Sequence, residues 1–270
     1  MDLGLGGRAC VVTGAGRGIG RATARMLCEA GGQVLLIART EEEVQEAAAE
    51  CGRAGAVANG RAAHLAIDVA DPGAGAAIVA EADQRFGQID VIVNCAGTAA
   101  WRDLDDVTDD DWYAAWELNV MAPMRLMRAA VPAMAERGWG RVVNVSSTAG
   151  KRPSQQLGEY SVAKAGQLSL SRLYADRYAR SGVLVNAVTP GLVKSELWMS
   201  PGGMLDQMVE HQGGGDRDEA LEAFGANRPI GRFAEVDEIA STIVFLCSER
   251  ASYVSGAAWS VDGGAVQVII

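Results

Sequence analysis

The chain has 270 residues, a net charge of −10, 49% hydrophobic and 21% charged residues, a composition that can bury a core without disulfides or metals and that excludes whole-chain disorder. The acidic balance has the wrong sign for a protein devoted to nucleic-acid phosphates or anionic lipid. No apolar run approaches the roughly 18 residues of a membrane helix, and Met1-Asp2-Leu3-Gly4-Leu5-Gly6-Gly7 lacks the basic end and apolar stretch of a secretory signal, so a cytoplasmic location is expected.

Apolar runs of strand length, at residues 9–13, 34–38, 64–68, 91–94, 142–146, 183–188 and 257–261, alternate with longer helix-like stretches. The runs are apolar nearly throughout instead of alternating with polar residues, as strands covered on both faces are. This predicts an α/β fold, a Rossmann-like doubly wound, seven-stranded parallel sheet with helices on both faces. No Pro/Ser-rich linker interrupts it, so residues 1–270 are expected to form a single dinucleotide-binding and catalytic domain. Cys10, Cys28, Cys51, Cys95 and Cys247 have no CxxC spacing, and His64 and His211 stand far apart. Free thiols and no metal site are the expectation.

The first run leads directly into Thr13-Gly14-Ala15-Gly16-Arg17-Gly18-Ile19-Gly20, followed by a helix-compatible pattern. Glycines let a backbone turn tightly and approach a pyrophosphate, while a helix N-terminus directs unpaired N–H groups at it. Strand, glycine loop and helix in this order mark a candidate dinucleotide site.

Further on, the run ending Val145-Ser146-Ser147 precedes Tyr160-Ser161-Val162-Ala163-Lys164 at the start of a helix-like segment. The i,i+4 spacing puts Tyr160 and Lys164 on one helix face. An ammonium near a phenol favours the phenolate and lowers a pKa that starts near 10, which makes a usable acid/base. Ser147 is placed to hydrogen-bond a substrate carbonyl as negative charge develops on it.

Thr13-Gly-x3-Gly-x-Gly20 and Tyr160-x3-Lys164 together resemble the short-chain dehydrogenase/reductase family in its single-domain form, including its 3-oxoacyl-carrier-protein reductase-like members. The resemblance covers essentially the whole chain. Asp68-Val69 is similar to the pair that contacts adenine in the family. Asn94-Cys95-Ala96-Gly97 is similar to its Asn-Asn-Ala-Gly motif, with Cys95 as the departure. Pro190-Gly191, with Val193 and Ser195 after it, is similar to the turn beside the nicotinamide.

The resemblance implies a catalytic set of Asn119, Ser147, Tyr160 and Lys164. Tyr160 would donate or accept the proton, Lys164 would tune it and hold a ribose, Ser147 would polarise the carbonyl and Asn119 would anchor a water. The implied cofactor-binding set is Thr13, Gly14, Gly16, Arg17, Gly18, Ile19, Gly20, Arg39, Asp68, Val69, Asn94, Ala96, Gly97, Tyr160, Lys164, Pro190, Gly191, Val193 and Ser195. The implied activity is NAD(P)-dependent interconversion of a secondary alcohol and a ketone. Two alternatives stand beside it: a 3-oxoacyl-carrier-protein reductase, which would need a basic docking patch such as Arg125, Arg128, Arg137, Arg141 and Arg152, and a nucleotide-sensing binding protein, which the retained Tyr160 and Lys164 disfavour.

NADP(H) is expected in preference to NAD(H). Dinucleotide sites that select NAD place a carboxylate at the end of the second strand, where this chain has Ala38 and then Arg39. Arg39 can pair with a 2′-phosphate, and Arg17 adds a second cation, with Glu41, Glu42 and Glu43 diluting the field. Residues 192–228 break the strand-helix rhythm with Trp198, Met199, Met204, Leu205, Met208 and the run Gly213-Gly214-Gly215. They are expected to form a mobile substrate lid for a bulky, apolar small-molecule ketone or alcohol. The apolar tail Val266, Val268, Ile269 and Ile270, like the resemblance, suggests a homotetramer.

Overall fold

Valine, leucine and isoleucine set the frame, because a strand that is apolar on both faces is stable only with helices packed on both. In the computed structural model, which describes residues 2–267, strands β1 (Ala9–Thr13), β2 (Gln33–Ala38), β3 (Arg61–Ala66), β4 (Val91–Asn94), β5 (Gly140–Val145), β6 (Val183–Pro190) and β7 (Ala258–Val261) form one sheet in the order β3-β2-β1-β4-β5-β6-β7. Every pairing is parallel. Chain order reverses between β1 and β4, and in such sheets the crevice beyond the carboxyl ends of those strands is where ligands bind.

Alternate residues of each strand feed two cores. Cys10, Val12, Leu36 and Val93 face one layer, covered by helices α1 (Gly18–Glu29) and α2 (Glu41–Gly55). Val11, Leu35, Ile92 and Val142 face the other, behind α3 (Ala74–Phe86). Helix α4 (Asp109–Trp116) passes through a π-helical turn at Glu117–Met121 into α5 (Ala122–Glu136). Helix α6 (Gly158–Tyr178) then crosses back to β6. Three short helices, α7 (Glu196–Met199), α8 (Met204–His211) and α9 (Arg217–Ala226), occupy the irregular segment before α10 (Val236–Cys247).

The third strand begins earlier than the apolar run suggested, spanning 61–66 instead of 64–68. Its register runs from Gln33 opposite Arg61 to Ala38 opposite Ala66, so the length of β2 and not the hydrophobicity of β3 sets its limits. Asp68 consequently lies past the sheet edge, near Arg39. The apolar members of the 192–228 segment are packed: Met204, Leu205 and Met208 are buried, and Trp198 meets Phe233 edge-on at 5.5 Å. Among the described residues no helix is long and apolar enough to cross a membrane. Val268, Ile269 and Ile270, which carried part of the oligomer expectation, lie outside the described residues.

Candidate active site

The glycine loop closes on β4 by steric necessity. Gly14 has φ +66°, and a Cβ there would lie 2.8 Å from the Ala96 backbone. Thr13 ties the same junction, its Oγ1 accepting from the N–H groups of Cys95 and Ala96 at 3.0 and 3.1 Å. Asn94 is buried and donates Nδ2 to Asn144 Oδ1 at 2.7 Å; Asn144 in turn donates to Ser171 Oγ on α6 at 2.8 Å. The cofactor-side loop is thereby fixed to the helix that carries Tyr160 and Lys164.

Gly16, Gly18 and Ile19 lead into α1, and its N-cap Arg17 is extended and exposed. The loop fits a dinucleotide phosphate, and an anion already sits at its mouth: Glu196 Oε2 comes within 3.2 Å of where a Gly18 Cβ would stand. At the ribose end Arg39 is 74% exposed, with Asp68 Oδ2 3.9 Å away. Asp68 also accepts from the Ala70 N–H at 2.9 Å, and Val69 packs against the second core. Of the three glutamates that follow Arg39, Glu43 comes closest to the loop, 3.3 Å from the position of a Gly16 Cβ. Gly191 passes so close to Asp262 that a Cβ would stand 2.9 Å from its Cα. Val193 and Ser195 are buried behind Pro190 on the way into α7.

At the chemical end, the strand-to-helix connection after β5 packs tightly on α6, since a Cβ at Gly150 would meet the Lys164 carbonyl carbon at 2.8 Å. Ser146 Oγ donates to the Lys164 carbonyl at 2.9 Å, and Ser147 Oγ accepts from the Ala149 N–H at 3.1 Å. These contacts bring Ser147, Tyr160 and Lys164 together in one cavity of about 500 Å³. Lys164 is buried and donates Nζ to the Val145 carbonyl at 2.8 Å and to Gln167 Oε1 at 3.3 Å. Burial pushes its pKa down to about 8.

The Tyr160 phenol moves opposite to the expectation of a lowered pKa. Burial raises it to about 12, and the neighbouring Ser147 hydroxyl offsets only part of that rise. The physical reason is that Nζ lies 5.6 Å from the ring centroid and is held by the Val145 carbonyl, too poorly coupled to the phenol to outweigh desolvation. Tyr160 therefore rests as a neutral proton donor.

Asn119 sits in the π-helical turn, which rotates its side chain out of the regular helical series. Its Nδ2 donates to the Ala115 carbonyl at 2.9 Å, while Oδ1 is buried without a partner. A buried amide oxygen left unmatched beside a cation is a place for a bridging water.

Sequence reading did not single out several groups in or beside this cavity: Trp101, Arg228 and Gln167, with Arg152 considered there only as a docking residue. Trp101 and Arg228 come from loops whose position depends on tertiary packing, and nothing in their local sequence announces them. Gln167 had a signal, three residues after Lys164 on the same helix face.

A family model described as Enoyl-(Acyl carrier protein) reductase matches residues 14–266. The chain is 37% identical to the short-chain reductase protein NovJ of Streptomyces niveus over 94% of its own length and 92% of that protein. It is 31% identical to the 3-oxoacyl-[acyl-carrier-protein] reductase FabG of Salmonella typhimurium, covering 97% and 98% of the two chains. The crystal structure of L-sorbose reductase from Gluconobacter frateurii, complexed with NADPH and L-sorbose, superposes over the whole of both chains with a TM-score of 0.91 at 34% identity. A Gly-x3-Gly-x-Gly loop at the sheet's switch point, a Ser-Tyr-Lys cluster across the crevice from it, and this likeness along the full chain have one explanation: the protein belongs to the short-chain dehydrogenase/reductase family of NAD(P)-dependent oxidoreductases.

Proposed function

We propose that the protein reduces a ketone to a secondary alcohol, or runs the reverse reaction, with NADP(H) preferred over NAD(H). The observation that carries this reading is the meeting of Ser147, Tyr160 and Lys164 in the cavity that also contains Ile19, Pro190 and Gly191 from the cofactor side. Bound NADPH supplies the hydride. Ser147 Oγ positions and polarises the substrate carbonyl, and the neutral Tyr160 phenol gives its proton to the oxygen as negative charge develops there. Lys164, cationic below about pH 8, stabilises the phenolate that this leaves behind. Asn119 Oδ1 holds a water through which the proton is replaced.

The remaining candidates take cofactor roles: Thr13, Gly14, Gly16, Arg17, Gly18, Ile19 and Gly20 at the pyrophosphate, Arg39 at the 2′-phosphate, Asp68 and Val69 at adenine, Asn94, Ala96 and Gly97 along the nicotinamide ribose, and Pro190, Gly191, Val193 and Ser195 at the nicotinamide. Three of the arginines that a carrier-protein docking patch would need are engaged elsewhere. Arg125 pairs with Glu117, Arg137 bonds the Ile89 carbonyl, and Arg141 is buried against Glu249. This favours a small-molecule ketone over an acyl-carrier substrate. NADPH oxidation across ketones of graded size, with acetoacetyl-carrier protein as comparison, tests the reading; failure with every ketone would refute it.

Residues 192–228 act as a lid in this proposal. Leu197, Trp198, Met204 and Phe224 line the cavity, and Gly213, Gly214 and Gly215, all at positive φ, give hinge freedom that deuterium exchange with and without ligand would read. The protein is cytoplasmic and a homotetramer in the same proposal, the assembly being read by light scattering.

A further inference from the structure

The wall of the catalytic cavity has a charge opposite to that of the protein. The chain carries 34 acidic residues and a net charge of −10, yet the charged residues among those lining the cavity are Arg152, Lys164 and Arg228, with no Asp or Glu. Lys164 is engaged by Val145 and Gln167. The two arginines differ from most others in the molecule. Arg21, Arg25, Arg125 and Arg232 all pair with carboxylates, whereas among the described residues neither Arg152 nor Arg228 has one within ion-pair distance.

The unmatched polar atoms point the same way. Arg228 Nε is buried with no hydrogen-bond partner, and so is Trp101 Nε1 on the same cavity wall. Both are obligate donors. A buried donor without an acceptor is costly, and acceptor oxygens on a ligand are the partners that these donors lack.

We propose that the substrate of this reductase is a keto acid or hydroxy acid whose carboxylate is received by Arg228, with Trp101 Nε1 and the Arg152 charge in support. The assignment rests on the ketone-reductase reading above, since it names the other end of the same substrate. A planar carboxylate matches a guanidinium edge through two parallel N–H···O bonds. A phosphate carries further oxygens, and Leu197, Met204 and Phe224 on the same cavity wall have no side-chain donor to offer them. The apolar wall takes the carbon body of the molecule, and the specificity comes from its charged end.

The test compares methyl-ketone acids of increasing chain length, each against its own primary amide, in NADPH-dependent reduction. The carboxylate is expected to be favoured in kcat/KM by at least about tenfold at the best length, the discrimination of one charged hydrogen-bonded contact. Arg228→Gln is expected to bring the acid-to-amide ratio close to one, and Arg228→Lys to restore part of it. In parallel, calorimetry measures heptanoate and heptanamide binding to the NADP⁺-loaded protein, a readout independent of turnover.

Equal use of acids and amides by the wild type, which needs no variant to fold, overturns the proposal, and so does a preference that survives Arg228→Gln. Better reduction of a ketone phosphate ester than of any keto acid overturns the carboxylate assignment. Arg228-dependent heptanoate binding with no reduction of any ketone upholds the anion site and refutes the reductase reading instead.

Discussion

Oδ1 of Asn119 and Nζ of Lys164 converge on one point beside Gly97, where a Cβ would lie 3.5 Å from the first and 3.6 Å from the second. An unpartnered acceptor and a cation share a gap that glycine leaves open. In the proposed mechanism a water there would link the lysine to the helical turn and resupply the proton that Tyr160 gives up. Asn119→Ala should lower kcat by about 10²-fold, the lower end of the range for general acid–base assistance, and should change the shape of the pH profile while NADPH still binds. An unaltered pH profile would assign Asn119 to helix packing alone.

Burial holds the Lys164 pKa near 8 and the Tyr160 pKa near 12, so the form competent for reduction, cationic lysine with neutral phenol, loses its lysine proton first as pH rises. The kcat/KM for NADPH reports groups on the free enzyme and should be level below pH 8 and fall above it. A flat profile from pH 6 to pH 9.5 would contradict this assignment.

Asn144 joins two parts of the site, accepting from Asn94 at 2.7 Å and donating to Ser171 at 2.8 Å with no exposed surface. Removing its side chain strands the Asn94 amide in the core, while the Ser171 hydroxyl keeps its bond to the Gln167 carbonyl at 2.7 Å. Asn144→Ala should reduce unfolding free energy by about 2–4 kcal/mol in urea titration. A change under about 0.5 kcal/mol, the level of an ordinary surface substitution, would mean that water replaces the amide without loss.

In the proposed reading cofactor choice turns on Arg39, which is exposed with, among the described residues, no carboxylate closer than Asp68 at 3.9 Å. The wild-type ratio of kcat/KM should favour NADPH over NADH, and Ala38→Asp/Arg39→Leu should lower that ratio about 10–100-fold, the loss of one charge-assisted contact. In the same reading Glu43, close to Gly16, should keep the preference below what two arginines alone would give. A wild-type preference for NADH would reverse the assignment.

The fold and the meeting of Ser147, Tyr160 and Lys164 were legible because both obey local rules. Apolar runs such as 9–13 and 91–94 matched β1 and β4 to the residue, and the i,i+4 pair Tyr160 and Lys164 needs only a helix to align it. What depended on distant partners was not legible. The limits of β3 follow from the length of β2. The resting state of Tyr160 follows from burial that no spacing encodes. Arg228 and Arg152 stand out only after folding brings them to a wall without carboxylates, because in sequence they are two among many arginines.

The central claim is that the Tyr160 phenol delivers the proton in an NADPH-dependent carbonyl reduction, and single-turnover reduction by Tyr160→Phe tests it most directly. The substitution removes one oxygen and keeps the ring that packs beside Lys164. The account predicts that the rate of NADPH consumption falls by at least about 10²-fold in a folded protein that still binds NADPH. A rate within a few-fold of wild type would contradict it.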